Sequence, residues 1–403
     1  MRRLALLPVL GLLVAPPALS AATSRCDTLA TRLADVEAGG DAMRALILAR
    51  RYARRCVRLN QIQALGSHNS YHIQARPVLF DALVNFLPEL VSLEYTHIPL
   101  EQQFAMQGIR QIELDVFADP AGSLYADRPI LALFGEDPAG PPELLEPGMK
   151  VLHVQDIDFE TTCTTLVGCL RVVKRWSDGQ RGHLPIMILI EAKDDVIPDP
   201  LNLGFVTPIP IGPAELDTID AEIRSVFPKR RLITPDTVRR RAATLEEAIL
   251  TEGWPTLGKA RGKVLFALDN GGRVRDDYLA GRPNLEGRVM FASGDPGQAH
   301  AAFVKENDPL SDPARIPNLV AGGYVVRTRA DADTVQARTG DVTQRDAALA
   351  SAAQWVSTDY PMPRPGLDFG TGYQVSIPDG APARCNALVA PPGCRNAALE
   401  QLR

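Results

Sequence analysis

The sequence predicts an α/β fold: a (β/α)8 TIM-like barrel forming a single catalytic domain. Three observations predict it. Nine short apolar runs recur, at residues 62–66, 109–117, 150–154, 185–190, 263–268, 288–292, 302–305, 324–327 and 355–358. Several are rich in Val and Ile with little internal polarity, as strands buried on both faces are. Helical stretches lie between some of them, most clearly at 215–227 and 342–353, and such alternation implies parallel βαβ units. No internal repeat or composition break marks a second domain, and 403 residues are ample for one large core. Nine runs against eight strands leave one false or extra, and a doubly wound open sheet is the alternative.

Taken in order, the chain opens on Met1-Arg2-Arg3, an apolar run at 4–15, Pro16-Pro17 and small residues at 18–22. These are the three parts of a secretory signal peptide, with an apolar run short for a bilayer span. Residues 1–22 are therefore expected outside the fold. No second long apolar segment follows, so the mature protein is expected to be soluble and exported, secreted or periplasmic. Residues 23–60 read as an amphipathic helical segment packed on the barrel. The eight arginines between positions 25 and 58 are interspersed with acids and suit a solvated helix face better than a lipid surface. Residues 61–360 carry the barrel, with long Pro-rich loops at 137–147 and 196–213. Residues 361–403 read as an irregular closing tail.

All six cysteines (Cys26, Cys56, Cys163, Cys169, Cys385, Cys394) follow the leader, and no CxxC occurs. An even count in an exported chain favours disulfides over zinc. Six cysteines allow fifteen pairings, and sequence alone does not choose among them. The simplest choice is local: Cys163 with Cys169, Cys385 with Cys394, leaving Cys26 with Cys56. The net charge of −5 gives no global attraction to nucleic acid, so any anion site must be local.

The chain has no GxxxxGK[ST], no GxGxxG after a strand, no HExxH and no GxSxG. Phosphate-cradle, dinucleotide, zinc-protease and α/β-hydrolase readings fall accordingly. Polar residues cluster instead at the ends of the apolar runs. The first ends in Ser67-His68-Asn69-Ser70-Tyr71-His72, the second carries Glu113-Leu114-Asp115, the third reaches His153, and the fourth ends in Glu191-Ala192-Lys193. In a parallel barrel the C-terminal strand ends converge on one mouth, where such enzymes do their chemistry. Glu113 and Asp115 are two apart, so both point to one face of a strand. Like charges held together in a barrel mouth repel, and a divalent cation relieves the cost. With Asn69 and Glu191 the donor set is all oxygen, which suits Ca2+ or Mg2+. The plain alternatives are pairing of the acids with arginines such as Arg110, and buried structural roles for His68 and His153.

This series of residues resembles the catalytic barrel of the calcium-dependent phosphoinositide-specific phospholipases C, in particular a small secreted microbial branch without accessory domains. The resemblance spans residues 61–193 and continues more weakly through Trp254-Pro255-Thr256-Leu257-Gly258-Lys259, Lys263-Val264-Leu265-Phe266 and Trp355-Val356-Ser357-Thr358-Asp359-Tyr360-Pro361. It implies His68 and His153 as catalytic histidines and Asn69, Glu113, Asp115 and Glu191 as Ca2+ ligands. Lys193 and Arg327 become phosphate contacts. The implied reaction cleaves phosphatidylinositol-type lipids to diacylglycerol and a cyclic inositol phosphate. His153 would be the general acid, His68 would stabilise the phosphoryl oxygens, and Glu113 or Glu191 would be the base. The implied partner is a phospholipid at a membrane surface, met by a monomer. Basic residues 229–231 and 239–241 could favour anionic lipid or form a solvated face. A glycerophosphodiester phosphodiesterase is the nearest rival, but its first strand typically ends His-Arg and its second His is usually followed by Asp. A secreted binding barrel with a dead site is the other.

Overall fold

The computed structural model describes residues 17–363 and 369–400. The leader expected at 1–22 lies outside the described residues as far as position 16. A helix, α1 (Pro17–Ala38), crosses the expected leader boundary, and α2 (Ala42–Cys56) folds back beside it. Asp41 caps α2 by accepting the Arg44 N–H at 3.0 Å.

Eleven strands follow: β1 (Ile62–Ser67), β2 (Gln111–Phe117), β3 (Lys150–Val151), β4 (Ile186–Ala192), β5 (Leu232–Ile233), β6 (Val264–Leu268), β7 (Met290–Ala292), β8 (Phe303–Lys305), β9 (Val325–Arg329), β10 (Trp355–Thr358) and β11 (Ala383–Cys385). Eight pair in parallel around a ring: β6, β4, β2, β1, β10, β9 and β8 in spatial order, with β7 beside the end of β6. A parallel bridge from Ser293 to Phe303 joins β7 to β8 and completes the circuit. The ring strands are buried along almost their whole length, which is why they read as unbroken apolar runs. Gly66 leaves room for Gln111 at the β1–β2 seam: a Cβ there would meet Gln111 Oε1 at 1.9 Å and displace that side chain.

Eight of the nine apolar runs are these ring strands. The ninth is the extra one. Residues 150–154 supply only β3, which pairs antiparallel to the end of β2, Val116 with Val151 and Phe117 with Lys150. His153 therefore does not end a parallel strand. It reaches the mouth from a loop that turns back over it. The helices expected at 215–227 and 342–353 are Pro213–Val226 and Thr343–Ala350. The tail is not wholly irregular, since β11 pairs antiparallel with β1.

The segments after β1, β2 and β3 build a satellite core over the mouth from Leu79, Phe80, Leu83, Ile130, Leu131 and Phe159. The basic residues 229–231 precede β5, which starts level with β6, so they lie at the opposite end from the mouth. Arg231 is bound to Asp178, Ser177 and the Gly262 carbonyl. A lipid-facing role for this group at the mouth is thereby set aside. The disulfides are Cys26–Cys56, Cys163–Cys169 and Cys385–Cys394, the local pairing. Among the described residues no helix is long and apolar enough to cross a membrane.

Candidate active site and metal centre

The strand register assembles the acids. Asp115 of β2 stands directly opposite Glu191 of β4, and Glu113 lies two residues back on the same face. Asp269, the residue after β6, completes the group. One carboxylate oxygen each from Glu113, Glu191 and Asp269 lies within 4.8 Å of the others. Asn69 follows β1 with φ 40°, a left-handed conformation that Asn tolerates better than most residues. Its Nδ2 donates to Tyr95 OH at 2.9 Å, and its Oδ1 is buried without a partner among the described residues. Ser70 ties this turn to β2, donating its N–H to the Glu113 carbonyl and accepting the Glu113 N–H.

Burial sets the electrostatics. It pushes the Glu113 carboxyl up to about 7, with Arg327 pulling the other way. It raises Asp115 well above the usual carboxylate range, and the facing Glu191 adds to the rise. Glu191 is raised by burial too. Three cations answer four acids. Arg327 Nη2 lies 2.5 Å from Glu113, Lys193 Nζ 3.3 Å from Asp115, and Lys305 Nζ 2.6 Å from Asp269. Even so, among the described residues both Asp115 oxygens and Asp269 Oδ1 lack an aligned hydrogen bond. Buried oxygens left bare around a negative cluster are what a hard divalent cation satisfies.

The histidines stand beside this centre, each on its own carboxylate. His68 Nδ1 is 2.8 Å from Asp359 Oδ1, and Asp359 also takes Arg329 Nη2 at 3.2 Å. Arg329 Nη1 lies 3.3 Å from His68 Nε2, and Glu113 Oε1 lies 3.9 Å from it. Burial lowers the His68 pKa to about 3, with Arg329 adding to the fall. Burial opposes charge on Asp359 as well, but His68 and Arg329 hold its carboxyl below the ordinary range. The ring is thus neutral with its proton on Nδ1, and Nε2, without a proton, accepts from Arg329 Nη1. His153 Nδ1 is 2.7 Å from Asp158 Oδ2, and the same carboxylate takes His72 Nε2 at 2.9 Å. Burial lowers the His153 pKa, and Asp158 counters it. The His68 and His153 side chains are 18% and 17% exposed, against 3% or less for Glu113, Asp115, Asp158 and Asp359.

Most of the residues singled out in the sequence therefore gather here. Arg327 is held by Glu113 and by Asn307 at 2.5 Å, and Lys193 is held by Asp115. The sequence reading missed Asp269, Asp359, Asp158 and Arg329. Asp269 and Asp359 each follow an apolar run directly, the rule that found Glu191. Arg329 ends β9, two past Arg327. Asp158 carries no such signal.

A family model described as phosphoinositide phospholipase C, Ca2+-dependent, matches residues 57–387. The chain belongs to that family. No curated protein matches it. Among solved structures it resembles the apo calcium-dependent phosphoinositol-specific phospholipase C of a Gram-negative Pseudomonas sp., at 16% identity and TM-score 0.48, covering 83% of this chain and 96% of that one. The myo-inositol complex of a Pseudomonas sp. enzyme gives 17%, 0.48, 82% and 95%. A Ca2+-dependent phosphatidylinositol-specific phospholipase C of Streptomyces antibioticus gives 18% and 0.45, covering 75% and 95%. The protein is a phosphoinositide phospholipase C of a Ca2+-dependent family, and the all-oxygen donor set of the phospholipase suits that ion.

Proposed function

We propose that this phospholipase cleaves phosphatidylinositol-type lipids to diacylglycerol and a cyclic inositol phosphate, with His68 and His153 as base and acid. The observation that carries this is the pair of partly exposed histidines, each braced by its own buried aspartate beside one carboxylate cluster. Asn69, Glu113, Asp115, Glu191 and Asp269 are the residues that would hold Ca2+. When bound, that ion would supply Lewis-acid chemistry, offsetting negative charge that develops during the displacement.

The chain's own residues divide the proton traffic. Nε2 of His68, which carries no proton, takes the proton of the 2-hydroxyl as its oxygen attacks phosphorus. This differs from the phosphoryl-stabilising role that the family resemblance implied. A ring whose only N–H is spent on Asp359 has none to offer a phosphoryl oxygen. Arg329, beside His68, is the better donor to that oxygen, with Lys193 a second positive charge. His153, as imidazolium, protonates the departing glycerol oxygen. Asp158 and the incoming phosphodiester charge both favour its protonated form. In hydrolysis of the cyclic phosphate the two rings exchange roles.

Three disulfides and the leader-like N-terminus support an exported protein, secreted or periplasmic. The test is an assay on phosphatidylinositol and on glycerophosphocholine, with Ca2+ and with chelator, products followed by phosphorus NMR. A transient cyclic phosphate from phosphatidylinositol, in Ca2+ only, is expected. Cleavage of glycerophosphocholine alone would overturn the proposal.

A further inference from the structure

The end of the barrel away from the mouth holds a cavity of about 750 Å3. Arg110, His183 and Arg261, which line it, come just before β2, β4 and β6, so it lies where strands begin. Among the described residues, five arginines line it, Arg50, Arg54, Arg110, Arg181 and Arg261, against one carboxylate, Glu400. Glu400 is fully engaged. It takes Arg110 Nε at 3.1 Å, Arg110 Nη2 at 2.5 Å and the Leu184 N–H at 2.6 Å. Among the described residues Arg261 donates to the neutral carbonyls of Gly182 and Leu399 and to no carboxylate. Burial lowers its pKa, Glu400 opposes this, and Arg54 lowers it further. Arg50, Arg54 and Arg181 form no ion pair among the described residues. On α2, Arg50 and Arg54 are four apart, as are Arg51 and Arg55, a like-charge spacing that works against the helix. The same ridge walls a second cleft of about 690 Å3, which adds Arg51, Arg55 and Lys259. This positive charge is concentrated in a chain of net charge −5.

We propose that this cleft binds a soluble anion carrying two or more phosphate groups. Guanidinium forks match phosphate oxygens in pairs, and several unpaired forks around one cavity suit several phosphates better than one. The cavity is of the size usual for small-molecule sites. That the anion is soluble rests on the proposed lipid substrate: with the mouth turned to a bilayer, the strand starts face water.

The experiment is calorimetric titration of the full chain with sodium tripolyphosphate, in chelator and about 0.15 M salt, so that long-range attraction is screened. Saturable binding is expected, weakened about tenfold in Arg54→Gln and again in Arg181→Gln, with no change in Arg329→Gln at the mouth. Both exposed variants should keep the wild-type melting temperature and cleave phosphatidylinositol normally. Absence of saturable heat, or equal affinity in the double variant, overturns the proposal. So does weakening in Arg329→Gln alone, which would place the anion at the mouth. Sedimentation with phosphatidylglycerol vesicles that needs Arg54 and Arg181, without tripolyphosphate binding, overturns the soluble ligand. Loss of phosphatidylinositol cleavage in wild type would instead count against the proposed function and leave the cleft intact.

Discussion

The two histidine–aspartate pairs have the same internal geometry and opposite construction. His68 follows β1 and Asp359 follows β10, neighbouring strands that pair Ser67 with Thr358, so the sequence separation of 291 between the partners is irrelevant to their spacing. His153 and Asp158 are five apart in one loop. That loop is folded by reciprocal Val154 and Asp158 backbone bonds of 3.0 and 2.9 Å, by a left-handed Asp156, and by His72 leaning on the same carboxylate. Nearby, Cys163 and Cys169 are joined. One pair inherits its precision from the barrel. The other must be fastened locally, and local fasteners can be removed one at a time.

The largest effects should come from the rings. His153→Ala removes the proton donor for a poor alkoxide leaving group, worth on the order of 10²–10⁴ in kcat. The loss should nearly vanish on an inositol phosphodiester with an acidic phenol as leaving group, and saturating Ca2+ should not restore it. His68→Ala should lose a similar factor on both substrates, because the attacking hydroxyl must shed its proton whichever group departs. Equal losses for both variants on both substrates would sink the division of labour.

Next come the braces. Asp359→Asn should cost about 10²-fold in kcat on either leaving group, by releasing the His68 tautomer. Asp158→Asn should cost a comparable factor only on the alkyl substrate. A reversed pattern would mean that the pairs serve the opposite steps.

Smaller again is the staple. Replacing Cys163 and Cys169 together by Ala should cost about 2 kcal/mol of stability, given the short loop. In kcat the loss should be several-fold and confined to the alkyl substrate. A matching loss on the phenol substrate would show that the strand-borne pair also depends on this loop.

The least effect is a pH slope. Burial, first among the causes, lowers the pKa of His97 and of His183 to about 4 from 6.5. His97 supports the strand-borne pair, with Nε2 2.8 Å from the His68 carbonyl. Between pH 6.5 and 4 the unfolded chain takes up protons that the native one refuses. Stability is therefore full above pH 6.5 and falls on acidification, by on the order of 1–2 kcal/mol per ring at pH 5. Urea titrations at pH 7 and 5 measure it, and His97→Gln should flatten the slope. An unchanged slope would show that His97 is not held neutral.

The same contrast explains what could be read from the sequence. Strand-borne groups were legible because a buried apolar run ending in a polar residue is a local pattern. Glu113, Asp115 and Glu191 came from it, and Asp269 and Asp359 obey it too. The Lys150–Val154 run misled because a short apolar run does not encode the direction of its partner. Asp158 was illegible because a turn with an αL aspartate and a two-way bridge has no period. The cations opposite the acids were equally hidden: Arg327 and Lys305 meet Glu113 and Asp269 only across the closed ring.

Closure has a consequence for the order of events during synthesis. The first strand of the ring is flanked by β10 and β11, and Arg110 at the start of β2 finds its carboxylate at Glu400. A chain released before residue 355 has no partner for that side of β1, and its open edge is a template for foreign strands. One released before residue 400 leaves a buried guanidinium without its counter-charge, a defect of about 3–5 kcal/mol. Closing the ring therefore waits on residues 355–400, some three hundred positions along the chain from the strand they complete.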